Sequence, residues 1–239
     1  MESDGQVCPI CKGAGYVVRD VPVDHPDFGR LYPCRCKKDE LTALRTARLR
    51  ELSNLDSLQH MTFDSFIPEG IGLNVEKREN LRRAYERARA FAASPQGWLL
   101  LMGGYGCGKT HLAVSIANEN IQRGRPALFV VVPDLLDYLR ATFSPTSPVT
   151  YDARFEEVRT APLLILDDLG AQSTTPWATE KLYQILNYRY NARLPTVITT
   201  NRDLEEIDLR IRSRLVDPNL VEIVPILAPD FRQSGVSPD

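Results

Sequence analysis

Trp98-Leu99-Leu100-Leu101-Met102 runs directly into Gly103-Gly104-Tyr105-Gly106-Cys107-Gly108-Lys109-Thr110, and His111-Leu112-Ala113-Val114-Ser115-Ile116-Ala117 follows with helical spacing. A short apolar strand, a glycine loop and a helix, in that order, predict a phosphate-binding loop. The glycines let backbone N–H groups close around phosphate oxygens, and the helix start adds its positive dipole end. Lys109 would neutralise the outer phosphates, and the Thr110 hydroxyl would ligate Mg²⁺. Cys107 reads as a small filler within the loop. A bound nucleoside triphosphate is the ligand this stretch implies.

The next strongest segment is Leu163-Leu164-Ile165-Leu166-Asp167-Asp168, four apolar residues ending in two carboxylates. A parallel strand buried on both faces has this character. Its carboxyl end would bring Asp167 to Mg²⁺, while Asp168 would orient and deprotonate an attacking water. Ala127–Val132 and Thr196–Thr200 fit the same sheet, and Val221–Val224 is a fifth candidate. Asn201 ends the Thr196 strand with an uncharged amide able to bond both a γ-phosphate and that water. Strands alternating with helical stretches predict a three-layer α/β domain with a parallel sheet of about five strands, its ligand at their carboxyl ends. Two helices are expected between Asp134 and Thr160. Ser144-Pro145-Thr146-Ser147-Pro148 reads as a loop.

The chain has 239 residues, 43% of them apolar and 25% charged, with a net charge of −2. These values exclude global disorder, a fibrous repeat and a uniformly basic nucleic-acid coat. Residues 30–50 hold seven basic groups and two acidic ones, so a +5 segment sits within a chain otherwise at −7. The acidic start Met1-Glu2-Ser3-Asp4 is unlike a secretory signal, and no apolar run approaches membrane-spanning length. A cytoplasmic chain is expected.

Cys8-Pro9-Ile10-Cys11 and Cys34-Arg35-Cys36 are two tight cysteine pairs separated by 22 residues. Clustered pairs read as metal ligands before disulfides, and four thiolates satisfy the tetrahedral preference of zinc. Cys8, Cys11, Cys34 and Cys36 are therefore the expected ligands of a structural Zn²⁺ in a module spanning residues 1–38. The one-residue gap in the second pair demands a tighter knuckle than the first. A redox pair or unrelated thiols is the other reading, and His25 could replace one cysteine. From Asp39 to Ser57, leucines at 41, 44, 49, 52 and 55 among arginines predict a basic helical linker, extending over 39–60.

Gly108-Lys109-Thr110-His111-Leu112-Ala113, Leu166-Asp167-Asp168-Leu169-Gly170, Thr199-Thr200-Asn201 and Arg210-Ile211-Arg212-Ser213-Arg214-Leu215 together resemble the AAA+ ATPases of the bacterial helicase-loader group, which includes DnaC, DnaI and the transposition helper IstB. The layout, with its cysteine module, is most similar to the DnaI-like loaders. The resemblance covers about residues 61–228 as an AAA+ core, followed by a flexible tail over 229–239. It implies that Lys109 and Thr110 are Walker A, Asp167 and Asp168 Walker B, and Asn201 sensor 1. It also implies an arginine finger at Arg214, with Arg210 as the alternative, completing a neighbour's site through self-association. The segment Thr62–Phe66 resembles one that lies near the adenine, so Phe63, with His111 beside the loop, joins the nucleotide-binding set.

Two departures from the family pattern are expected to matter. Asp168 stands where many AAA+ ATPases have Glu, which implies slow turnover. Only 25 residues follow Arg214, too few for a full helical lid. The resemblance implies an ATPase that loads the replicative DNA helicase and engages single-stranded DNA, the helix pair before Leu163 helping through Arg140, Arg154 or Arg159. The alternatives are an IstB-like transposition helper and a nucleotide-dependent adaptor with negligible hydrolysis.

Overall fold

The computed structural model describes residues 8–23, 25, 27–37, 47, 49, 53–143, 150–172 and 175–234. Most of the expected linker helix, the loop 144–148 and the last five residues lie outside the described residues. Two compact units divide the chain at Arg48/Leu49.

The smaller unit holds an antiparallel ribbon of β1 (Tyr16–Val18) and β2 (Leu31–Pro33), with Val17 opposite Tyr32. The first cysteine pair is bent by Lys12 and Gly13, both at positive φ, and Lys12 N–H donates to Cys8 O at 2.8 Å. Asp27 is the polar centre of the ribbon's connection, paired with Arg19 at 2.7 Å.

The larger unit is built on five parallel strands: β3 (Trp98–Gly103), β4 (Ala127–Val131), β5 (Leu163–Asp167), β6 (Thr196–Thr200) and β7 (Val221–Ile226), in the order β4-β5-β6-β3-β7. Leu99, Leu101, Phe129, Ile165 and Val197 face one side, where α1 (Val75–Ala93) and α2 (Lys109–Gln122) cover them. Trp98, Leu100, Leu128, Leu164 and Ile198 face the other. There they meet α3 (Val132–Ala141), α4 (Tyr151–Arg159), α5 (Pro176–Asn191) and α6 (Leu209–Leu215). β3, β4, β5 and β6 are therefore apolar on both faces, as a sheet inside a three-layer domain requires, while β7 at the edge is only partly buried. Val132, expected in β4, opens α3 instead, because Pro133 has no N–H for a ladder and suits the first helical turn.

Two details frame the site. β7 is an edge strand, which is where Pro225 can be tolerated. Its end is secured from α1, where buried Asn80 donates to Pro225 O at 2.9 Å and accepts from Leu227 N–H at 2.8 Å. Leu49, Ser53 and Leu55 are buried within this larger unit, and the Ser53 hydroxyl accepts from Phe129 N–H at 3.0 Å. The segment 54–58 is a 3₁₀ turn at the point where a continuing helix was expected.

Candidate nucleotide site and cysteine cluster

β6 lies between β5 and β3, so the ends of these three strands share one edge of the sheet. Gly103 closes β3, Gly104 to Cys107 form the loop, and Gly108 caps α2. Gly108 has φ +102°, and a Cβ there would meet the Phe66 ring at 2.9 Å, so both conformation and space call for glycine. Tyr105 stands at the loop tip, 73% exposed, whereas Cys107 is buried and its thiol is pushed up by that burial. Lys109, only 6% exposed, donates from Nζ to Gly103 O at 2.9 Å and Gly104 O at 2.7 Å.

Across the edge, Asp167 is 3% exposed. Burial pushes its carboxyl upward in pKa, and the Thr199 hydroxyl opposes that shift. Thr110 Oγ1 lies 3.1 Å from both Asp167 oxygens, and Thr199 Oγ1 donates to Asp167 at 2.7 Å. A hydroxyl and a buried carboxylate converging beside the lysine form a hard-oxygen donor set that fits Mg²⁺, an ion that keeps most of its remaining ligands as water and phosphate. Asp168 adopts φ +57°, a left-handed conformation Asp tolerates better than most residues, and its N–H donates to Thr199 Oγ1 at 2.9 Å. Asn201 leaves β6 at this edge, and its amide makes no hydrogen bond among the described residues.

Thr199 therefore organises both carboxylate positions, a role its sequence context conceals, since threonine within a strand reads simply as a β-former. His111 bonds to the segment Thr62–Phe66, to which Phe63 belongs. His111 Nε2 faces Thr62 O at 2.9 Å and Ser65 Oγ at 3.1 Å, and burial lowers its pKa. Phe63 is buried in the core, edge-on to Tyr85 with ring centroids 5.7 Å apart. Phe66, from the same segment, is the ring that reaches the loop.

Arg214 and Arg210 lie on α6. Arg214 donates to Asn187 Oδ1 and Tyr183 Oη, its guanidinium 4.8 Å from the Tyr183 ring centre. Arg210 pairs with Glu180 at 3.0 Å, its guanidinium 4.5 Å from the centre of the same Tyr183 ring. Both are held by α5 within the chain. On the α3–α4 face, Arg140 meets Asp137, Arg154 meets Glu157 and Arg159 meets Glu156.

In the smaller unit the Sγ atoms of Cys8, Cys11, Cys34 and Cys36 lie within 4.8 Å of one another, with Cys8 to Cys34 at 3.8 Å and Cys11 to Cys36 at 3.5 Å. A tetrahedral zinc with Zn–S of about 2.3 Å needs S···S near ~3.8 Å, so the donor set fits that ion. Backbone N–H groups of Cys11 and Ile10, directed at Cys8, pull its thiol down to about 6, toward the thiolate a metal requires. His25 is turned away, accepting from Asp27 N–H at 3.1 Å.

Residues 40–222 match the family described as IstB-like ATP binding protein. The chain belongs to that family. Among curated relatives of this IstB-like protein is the replicative helicase loader DnaC of Escherichia coli strain K12, 28% identical over 142 residues, 58% of each chain. The replicative helicase loader DnaI of Bacillus subtilis strain 168 is 32% identical over 110 residues, 46% of this chain and 34% of DnaI. The crystal structure of the DnaC helicase loader superposes with a TM-score of 0.58 at 26% identity, covering 70% of this chain and 97% of that one. The IstB-like chain thus spans little more than half the length of the DnaC it matches. The expected DnaC/DnaI/IstB-like grouping and three-layer core are borne out. Among the described residues, no helix is long and apolar enough to cross a membrane.

Proposed function

We propose that this chain is an ATP-dependent loader of the replicative DNA helicase in replication initiation or restart, with ATP acting as an assembly switch. The observation that carries the reading is the convergence of Lys109, Thr110 and Asp167 on one sheet edge, in a chain whose relatives are named replicative helicase loaders. In this reading Gly103 to Thr110 cradle the triphosphate, and Thr110 and Asp167 hold Mg²⁺. The ion neutralises charge on the phosphates. Asp168 orients the attacking water, and Asn201 bonds that water and the γ-phosphate. Asp168 is short and its backbone is tied to Thr199, which suits a slow switch rather than a motor.

Arg214 is the finger offered to a neighbouring copy, and the zinc-held amino-terminal module grips the helicase. Single-stranded DNA is the assembly's other partner. A DNA phosphate reaches Arg140, Arg154 or Arg159 by displacing Asp137, Glu157 or Glu156.

The test is capture of the intact chain by the replicative helicase of its own host, with and without ATP. Wild type should be captured in a nucleotide-dependent manner, and Lys109→Ala should lose the dependence. A chain that ignores the helicase in every nucleotide state removes the loader reading; capture of a transposase would support the IstB-like helper instead. For the finger, Arg214→Ala should leave nucleotide affinity within about twofold while lowering phosphate release about 100-fold or more.

A further inference from the structure

The chain does not leave the nucleotide loop when β7 ends. Asn80 fixes the backbone on either side of Ile226, and the chain then runs through Ala228-Pro229 to reach the glycine loop. Phe231 N–H donates to Gly106 O at 3.0 Å. The Asp230 carboxylate rests on Gly106 itself: a Cβ there would overlap it and come within 3.0 Å of the Asp230 Cα. Asp230 is held in that place, because its Oδ1 accepts from Arg232 N–H at 3.0 Å and so starts the short turn Phe231–Ser234. Gly106 has φ +64°, so the loop needs glycine for its own conformation as well as for this neighbour.

The contact has a consequence in charge. The loop's phosphate-cradling amides follow Gly106, and its one cation, Lys109, donates to the carbonyls of Gly103 and Gly104. A carboxylate pressed on Gly106 adds negative charge where an anionic ligand must approach. Nothing in the fold of the sheet demands an acid there, since Ala228 and Ile226 supply the packing under the loop.

We propose that residues 229–234 form a strap over the nucleotide loop, with Asp230 opposing the triphosphate, so that nucleotide binding displaces the strap and signals to the carboxyl-terminal end. The inference rests on nucleotide binding at this loop, as proposed above. The hinge is at Pro229, just beyond the Asn80 clamp, and the released part is the turn that begins at Asp230. Nucleotide affinity is thereby set by a residue outside the loop.

The test uses the full chain and a fluorescent ATP analogue with Mg²⁺. Asp230→Asn keeps the acceptor for Arg232 N–H and removes the charge, and should tighten binding about fivefold, less at high salt, the scale of one like charge in a partly solvated site. Asp230→Glu, which keeps the charge, should stay near wild type. Amide exchange over 229–234 should rise when wild type is saturated with nucleotide. Unchanged or weaker binding by Asp230→Asn, or exchange in 229–234 indifferent to nucleotide, overturns the strap. A wild type that binds no nucleotide overturns the underlying function instead, and Lys109→Ala marks that baseline.

Discussion

At the scale of single residues, Thr199 is the most economical organiser of the site. One hydroxyl donates to Asp167 at 2.7 Å and accepts from Asp168 N–H at 2.9 Å, fixing two consecutive acids of different role. Its donation is what partly offsets the burial that pushes the Asp167 carboxyl upward. Thr199→Val keeps the shape and removes both bonds. Loss of a hydrogen bond to a charged group is worth about 1.5–3 kcal/mol, so the Kd for Mg·ATP should rise about tenfold or more. Titration of the variant against wild type, with and without Mg²⁺, checks this; an effect that persists unchanged without Mg²⁺ would mean that Thr199 supports the loop generally and not the acid pair. The same residue shows where sequence reading stops. Lysine in a glycine loop and paired aspartates after an apolar run announce chemistry, because few other uses fit those patterns. A strand threonine announces nothing until its partners are known.

Elements were legible in proportion to their apolar regularity. β3, β4, β5 and β6 stand out because each is buried on both faces, whereas β7 at the edge alternates, and α2 follows the glycine loop with its apolar spacing intact. Val132 belongs to α3 because Pro133 suits a first helical turn, and the contact of Thr62 O with His111 carries no mark in the sequence. Arg189 was invisible for a different reason: arginine among polar helix neighbours reads as a solvated side chain. It is instead 0% exposed. It donates to Ala161 O at 2.7 Å, Arg159 O at 3.0 Å and Thr196 Oγ1 at 2.9 Å, and also to Pro195 O. Among the described residues no carboxylate faces it, so its bonds from α5 to the entries of β5 and β6 run to carbonyls and one hydroxyl. Arg189→Leu leaves those acceptors buried without donors, and should cost about 3 kcal/mol or more, read as a lower urea midpoint at unchanged slope. Asn80→Ala should be costly for the same reason at the other side of the sheet, by about 2 kcal/mol, since Leu227 N–H and Pro225 O lose their partner together.

At the scale of the whole molecule, the two units are held by different physics. The larger has a core on each side of its sheet. The smaller has three-residue strands and few buried apolar groups, so its order must come from the cysteines. Chelation of zinc, or Cys8→Ser, should therefore abolish amide protection over 8–37 while protection in the five-stranded sheet persists. Retained protection in the metal-free ribbon would refute a structural zinc. Assembly between copies belongs to this scale as well. Arg210 and Arg214 come already furnished with Glu180, Asn187 and Tyr183, so in the proposed assembly a neighbour's phosphate would have to outbid residents. What drives such an exchange is a small difference between two large attractions, and small differences respond steeply to what occupies the loop next door. A ring built on these contacts would hold together only while its occupants are triphosphates, and would come apart on losing a single phosphate from each.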